Sequence, residues 1–204
     1  MQETRVRRRA GRSKGDQRED RILDATRELL AGKSMAAVTI DDIAAAAGIS
    51  RTTFYFYFPG KQAVLARLME QVGDRFAQTH GWLASEGPSP AQLGEQLAGA
   101  AALWRENRPI MACSLAGFGD DYPPLVAFLA ETQQRFVSGL AAKIERDRAA
   151  GLAPAGIGAH TLAGMVEAMR EARLAELAEL PASATDEGLE ELVEAVLRLI
   201  YGRW

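Results

Sequence analysis

This 204-residue chain has only two histidines and one cysteine. His80, His160 and Cys113 fall in no metal-ligand spacing, so each reads as a surface or packed residue, and neither metal nor cofactor is expected. One thiol cannot close an internal disulfide, which suits a reducing compartment and a cytoplasmic protein. No apolar run approaches the roughly 20 residues of a membrane-spanning helix. The basic N-terminus lacks the apolar core of a secretory signal. No Ser/His/Asp arrangement, phosphate loop or metal spacing appears, so catalysis is not expected. Asp120-Asp121 reads as a solvated loop pair. Strand-like alternation is also missing from residues 84–204, which argues against a sheet.

What is present is a helical, globular composition, 48% hydrophobic and 25% charged. The net charge of -3 hides an asymmetry. Residues 1–61 carry 12 Lys+Arg against 8 Asp+Glu, whereas residues 62–204 carry 12 against 19. A basic front on an acidic body is the distribution expected if only the front meets a polyanion. Residues 1–15 hold six basic residues and one acid without apolar periodicity, a disordered basic arm. The arm is either a solubilising tail or a source of phosphate or minor-groove contacts through Arg5, Arg7, Arg8, Arg9 and Arg12.

A helix is expected over 16–32, with Ile22, Ala25, Thr26, Leu29 and Leu30 on one face and Gly32 as its stop. The stretch 39–61, TIDDIAAAAGISRTTFYFYFPGK, then reads as two short helices and a tight turn. Thr39 caps the first, with Asp42 completing an Asp form of the capping box. Ile40, Ile43, Ala44 and Ala47 share its apolar face, Gly48 takes the C′ position, and Ser50 caps the second helix. Five aromatics in a row, Phe54 to Phe58, would suit a core strand. The Ser50 cap, Pro59 behind and the amphipathic segment that follows favour a helix, with Phe54 and Phe58 turned inward toward Ile43 and Ile49. This is helix-turn-helix grammar, whose second helix would enter a DNA major groove.

Tyr55, Phe58 and Lys61 form the pattern Y-x-x-F-x-x-K that closes the recognition helix in the TetR family of bacterial repressors. With Thr39, Ile43-Ala44 and Gly48-Ile49-Ser50, residues 17–61 resemble that family. The resemblance implies that Arg51, Thr52 and Thr53 reach base edges and that Thr39, Tyr55, Tyr57 and Lys61 hold phosphates. Ser50 lies with them at the DNA-facing end, and packing is the competing role for Tyr57. Two positions depart from the family: Gly60 where a capping Ser, Asn or Asp is usual, and Phe56 where a polar residue is common.

The amphipathic segment 61–83 is expected to be a long fourth helix, with Gly73 its one weak interior point. Helical segments then run over about 90–107, 109–118, 123–151, 156–180 and 186–201. The whole is an all-α chain of about nine helices: an arm at 1–15, a helix-turn-helix domain at 16–61, and a ligand-binding and dimerisation body at 62–204. Leu103, Trp104, Met111, Leu115, Phe118, Phe128, Phe136, Met165, Met169, Leu174 and Val196 either form an ordinary core or line a ligand site.

Within the family the chain looks most similar to the ethionamide-activation repressor subgroup. The similarity rests on ISRTTFYFYFPGKQAVL, IERDRAAG at 144–151, Met169 with Glu171, and IYG at 200–202. It implies an apolar tunnel for a small apolar or amphipathic effector, with polar groups at Glu167, Arg170 and Glu171. The subgroup has amides at the first two of these positions and a carboxylate at the third. An Arg between two carboxylates either closes an ion-pair network or awaits a charged ligand group. Ala100, Ala101 and Ala102 stand where the subgroup has bulky aromatics, so the tunnel is either wider or closed by the helices. The resemblance further implies a homodimer through the last two helices, two recognition helices on a pseudo-palindromic double-stranded operator, and no membrane partner. The competing reading is a helical ligand or lipid carrier without specific DNA binding.

Overall fold

The computed structural model describes residues 14–202. The basic arm therefore lies outside the described residues, apart from its last two positions. Among the described residues there are nine α-helices, one 3-10 turn and no strand, so the chain is all-α. They divide into two compact units between Val64 and Leu65.

The first unit holds α1 (Lys14–Leu30), α2 (Ile40–Ala46), α3 (Arg51–Tyr57) and the first residues of α4 (Lys61–Gln78). Its local geometry follows the caps. Thr39 Oγ1 accepts from the Asp42 amide at 3.0 Å, and Asp42 Oδ2 accepts in return from the Thr39 amide at 3.0 Å. That reciprocal bonding holds the Asp42 carboxylate below its ordinary pKa, chiefly through the Thr39 backbone donor. At the far end of α2, Gly48 takes φ 65°, a left-handed turn that any Cβ would disfavour. Its amide bonds to Ala45 O at 3.1 Å and the Ile49 amide to Ala44 O at 2.9 Å, a complete Schellman pair. Ser50 Oγ then accepts from the Thr53 amide at 3.1 Å and starts α3. Ile22, Ile43, Phe54 and Phe58 close the core beneath. Burying a ring such as Phe54 contributes roughly 1.5–3 kcal/mol.

The second unit contains the rest of α4, a 3-10 turn (His80–Ala84), α5 (Pro90–Glu106), α6 (Arg108–Leu115), α7 (Pro123–Ala149), α8 (Ala159–Leu177) and α9 (Ala182–Tyr201). The fourth helix ends earlier than the expected 83. Thr79 Oγ1 bonds back to Phe76 O at 2.8 Å, and the chain tightens into the 3-10 turn. The sixth helix stops at Leu115 rather than 118, and the eighth begins at Ala159 rather than 156. The ninth starts four residues before the expected 186, directly after Pro181.

Trp82, Leu97, Trp104, Leu140, Ala163 and Val196 belong to one core shared by α5, α7, α8 and α9. Ala100 and Ala101 are buried in that core and Ala102 is exposed, so the helices close over the small side chains. A second device fixes the same unit. Lys143 and Asp147 form an ion pair at 3.0 Å with both side chains fully buried. Lys143 Nζ also donates to Ser85 O at 2.9 Å and Gly87 O at 2.8 Å, and lies 4.8 Å from the centre of a Trp82 ring. Asp147 accepts from the Tyr201 hydroxyl at 2.6 Å and the Gly87 amide at 3.2 Å. Burial alone would raise the Asp147 pKa, but the Tyr201, Lys143 and Gly87 donors outweigh it and hold the carboxylate ionised. The loop after the 3-10 turn, α7 and the end of α9 are tied at one point.

Candidate DNA-binding surface and ligand cavity

Buried Phe54 on α3, with buried Phe58 at the C-cap, fixes which way the other side chains face. Arg51, Thr52, Tyr55 and Phe56 are left exposed, and Thr53 and Tyr57 are half-buried. Phe56 is 82% exposed, an extent unusual for an aromatic ring. Arg51 is partly pre-oriented: one Nη donates to Asp41 Oδ2 at 2.7 Å and the other to the Tyr55 hydroxyl at 3.3 Å. Ser50 is committed as a cap, its Oγ lying 2.8 Å from Thr53 Oγ1. Thr39 is exposed at the N-terminus of α2.

Lys61, expected to hold a phosphate, is half-buried and bonds within its own unit. Its ammonium donates to Met35 O at 2.8 Å, Ala36 O at 3.3 Å and Val38 O at 2.6 Å. These bonds serve the loop between α1 and α2, so Lys61 acts as a clamp inside the unit. Met35 lies 26 positions back in sequence, a separation that no local pattern reveals.

In the second unit a cavity of about 330 Å³ opens between α4, α5, α6, α7 and α8. That is the lower end of the roughly 300–1,000 Å³ typical of small-molecule sites. Of the residues expected to line it, Trp104, Met111, Leu115, Phe128, Phe136, Glu167, Arg170 and Glu171 do so. The other six lie elsewhere. Leu174 and Val196 are packed in the core, with Met169 against it, because their helix faces meet α9 or α5 instead of the gap. Leu103 is buried outside the lining, Phe118 lies in the loop beyond the shortened α6, and Met165 is 52% exposed. Sequence reasoning missed Met69, Val72, Gly73 and Phe76 of α4, together with His80 and Thr132. The apolar stripe of α4 signalled a buried face without saying against what. Gly73 has a packing reason: a Cβ there would lie 2.7 Å from Phe128 Cζ, so only glycine lets the ring come so close.

The polar side of the cavity is an ion pair with an addition. Arg170 forks onto Glu167, Nε to Oε2 at 2.7 Å and Nη to Oε1 at 2.9 Å. The same guanidinium lies 4.3 Å from the centre of the Phe136 ring. His80 meets Phe136 edge-on at 4.9 Å. Burial, aided by the Arg170 charge, lowers the His80 pKa from 6.5 to about 4, so the imidazole is neutral at pH 7. Glu171 is open to solvent at its edge, yet desolvation, then the Glu167 charge, raise its pKa. Among the described residues the Glu171 carboxylate has no hydrogen-bond or ion-pair partner. Thr132 Oγ1 is buried and also lacks a hydrogen-bond partner among them. Of the two alternatives for these groups, Arg170 pairs with Glu167, and Glu171 is left outside the pair.

A capped helix-turn-helix unit followed by a helical body with a cavity is the layout of one-component bacterial regulators, and the comparisons place the chain among them. Residues 22–68 match the model "Bacterial regulatory proteins, tetR family", and residues 95–202 match "Transcriptional regulator EthR, C-terminal domain". The chain belongs to the TetR family and, within it, to the EthR-like transcriptional regulators. It is 34% identical over 207 residues to the HTH-type transcriptional regulator EthR of Mycobacterium tuberculosis H37Rv, covering 96% of this chain and 92% of that one. Against the EthR of Mycolicibacterium smegmatis it is 34% identical over 199 residues, covering 96% and 91%. Among solved structures, the repressor NalD of Pseudomonas aeruginosa superposes with a TM-score of 0.72 at 17% identity, covering 93% of this chain and all of that one. A putative TetR-family regulator from Mesorhizobium loti gives 0.71 at 18% identity, covering 93% and 100%. The protein is thus an EthR-like transcriptional repressor with a helix-turn-helix.

Proposed function

We propose that the protein binds a pseudo-palindromic operator as a homodimer and that a small effector in the α4–α8 cavity alters its hold on DNA. The observation that carries the reading is the outer face of α3. Arg51, Thr52, Tyr55 and Phe56 stand clear of a core that Phe54 and Phe58 have locked in orientation. Arg51 is the side chain suited to a guanine edge, and the Thr52 and Thr53 methyls suit thymine. Thr39, Tyr55 and Tyr57 supply phosphate contacts that set register. Lys61 acts indirectly, by holding the loop that leads into α2.

Dimerisation through α8 and α9 is supported by Met165 and Leu199, 52% and 47% exposed on those helices. A C2 pair would bury such side chains and present two α3 helices to half-sites about one DNA turn apart. α4 suits transmission. It is one helix whose first residue, Lys61, clamps the α1–α2 loop, while Met69, Val72 and Phe76 line the cavity. A ligand pushing on those residues would tilt the helix that carries Lys61. The test is footprinting on DNA flanking the gene, together with sedimentation. Two protected half-sites one turn apart, and a dimer at micromolar concentration, are expected. A monomer at that concentration, or protection of a single half-site, would overturn the reading.

A further inference from the structure

The cavity's charges do not balance, and the imbalance specifies a ligand. Two carboxylates and one guanidinium line it, and the histidine beside them is neutral at pH 7. The Arg170 charge is already matched by Glu167. Both Glu167 oxygens already hold its Nε and one Nη, and its guanidinium lies over Phe136. An anionic head could take only the remaining Arg170 N–H groups, whose charge Glu167 already neutralises, and would sit near Glu171, one turn from Glu167 on the same helix face. A neutral head could donate a hydrogen bond to Glu171 but would bring no counter-charge. A cation gains at both ends. Glu171 supplies a carboxylate that no ion pair takes up among the described residues, and Phe76, Trp104 and Phe128 line the same space, where an aromatic ring can attract an ammonium. Thr132 Oγ1, buried in the lining without a partner among the described residues, can accept from an ammonium as it could pair with other heads.

We propose that the effector is an amphipathic cation: an apolar body in the space between α4 and α7, with a protonated amine or ammonium head paired to Glu171. The proposal rests on the reading of this cavity as the effector site, and its test separates the two. Decylamine, decanol and decanoate share one tail and differ only in head charge. The full-length protein is titrated with each at pH 7, below the ligands' aggregation concentrations, following the intrinsic tryptophan fluorescence, to which Trp104 of the lining contributes, and confirming by calorimetry.

Decylamine is expected to bind about tenfold more tightly than decanol, the combined worth of a part-exposed ion pair and a cation–ring contact, with decanoate weakest. Glu171→Gln should bring decylamine to within about threefold of decanol and leave decanol unchanged. That carboxylate is on the open edge and makes no internal bond, so the variant should keep its fold, checked by its melting curve. Decanoate or decanol binding as tightly as decylamine in the wild type would overturn the cation and leave the cavity reading standing. A preference for decylamine that survives Glu171→Gln would overturn the assignment to Glu171. If none of the three binds, the cation proposal and the effector-site reading fall together.

Discussion

Arg170 holds Glu167 with two hydrogen bonds, 2.7 and 2.9 Å, while its guanidinium lies 4.3 Å from the centre of Phe136. Both side chains are nearly buried, 12% and 7% exposed. Removing one partner leaves a charge in an apolar wall, whereas removing both leaves none. Glu167→Leu should cost about 3 kcal/mol in chemical denaturation, and E167L with R170M should lie within about 1 kcal/mol of the wild type. Equal losses in the single and double variants would contradict a closed pair.

The Lys143–Asp147 pair is buried more deeply and has more attached to it. Asp147→Asn keeps the shape but takes the counter-charge from a fully buried ammonium, so a loss of roughly 3–5 kcal/mol is expected. Tyr201→Phe removes only one donor to Asp147 and should cost about 1–2 kcal/mol. Thermal and denaturant unfolding would read both. Similar small losses would mean that the node is not stabilised by its charge.

His80 gives the second unit a pH dependence. The unfolded chain protonates this ring near 6.5, but the folded chain resists until about 4. Between those values the unfolded state binds more protons, so stability falls as pH drops through the window. Because part of the ring stays solvated, the loss from this group is on the order of 1–2 kcal/mol. His80→Phe should flatten the stability profile between pH 6.5 and 4 relative to the wild type. An unchanged slope would assign it to other groups.

Gly73 tests the cavity by filling it. Alanine is favoured over glycine in a helix by about 1 kcal/mol. Here its Cβ would meet Phe128 Cζ at 2.7 Å and drive that ring toward the cavity. Gly73→Ala is therefore expected to change the melting temperature little and to weaken binding of any ligand in the cavity at least tenfold, a penalty of roughly 1.4 kcal/mol. Undiminished binding would place the ligand elsewhere.

Lys61→Ala separates clamp from phosphate contact. Losing a charged donor to three carbonyls should cost about 1–3 kcal/mol of stability, read by hydrogen exchange in α1 and α2. A stable variant whose salt dependence of DNA binding falls by about one phosphate would restore the contact to DNA.

The recognition unit was legible because its signals are local. Thr39, Gly48 and Ser50 sit within a few residues of the atoms they bond, and the caps, the turn and the inward Phe54 and Phe58 follow from spacing alone. The clamp formed by Lys61 was not legible for the opposite reason, since its acceptors lie across the unit. The Lys143–Asp147–Tyr201 node is of the same kind. Its members lie in the two stretches, 144–151 with its neighbours and 200–202, that stood out only by resemblance. In the body, periodicity identified buried faces without distinguishing core from cavity. Met165 and Met169 are four residues apart on α8, yet one is exposed and the other is packed on the core. The unpaired state of Glu171 needed coordinates, because spacing alone allowed Arg170 to pair with either carboxylate.

The central claim is that α3 reads sequence, and fluorescence anisotropy with Arg51→Ala tests it most directly. Labelled duplexes from the DNA flanking the gene, scrambled controls and single-base operator variants are titrated at several salt concentrations. The wild type is expected to prefer the operator by about a thousandfold or more. Arg51→Ala should lose about 1–3 kcal/mol on the operator and relax the preference at one base pair, with scrambled DNA little affected. Equal wild-type affinity for operator and scrambled DNA, or an Arg51→Ala loss that is uniform across all sequences, would contradict the account.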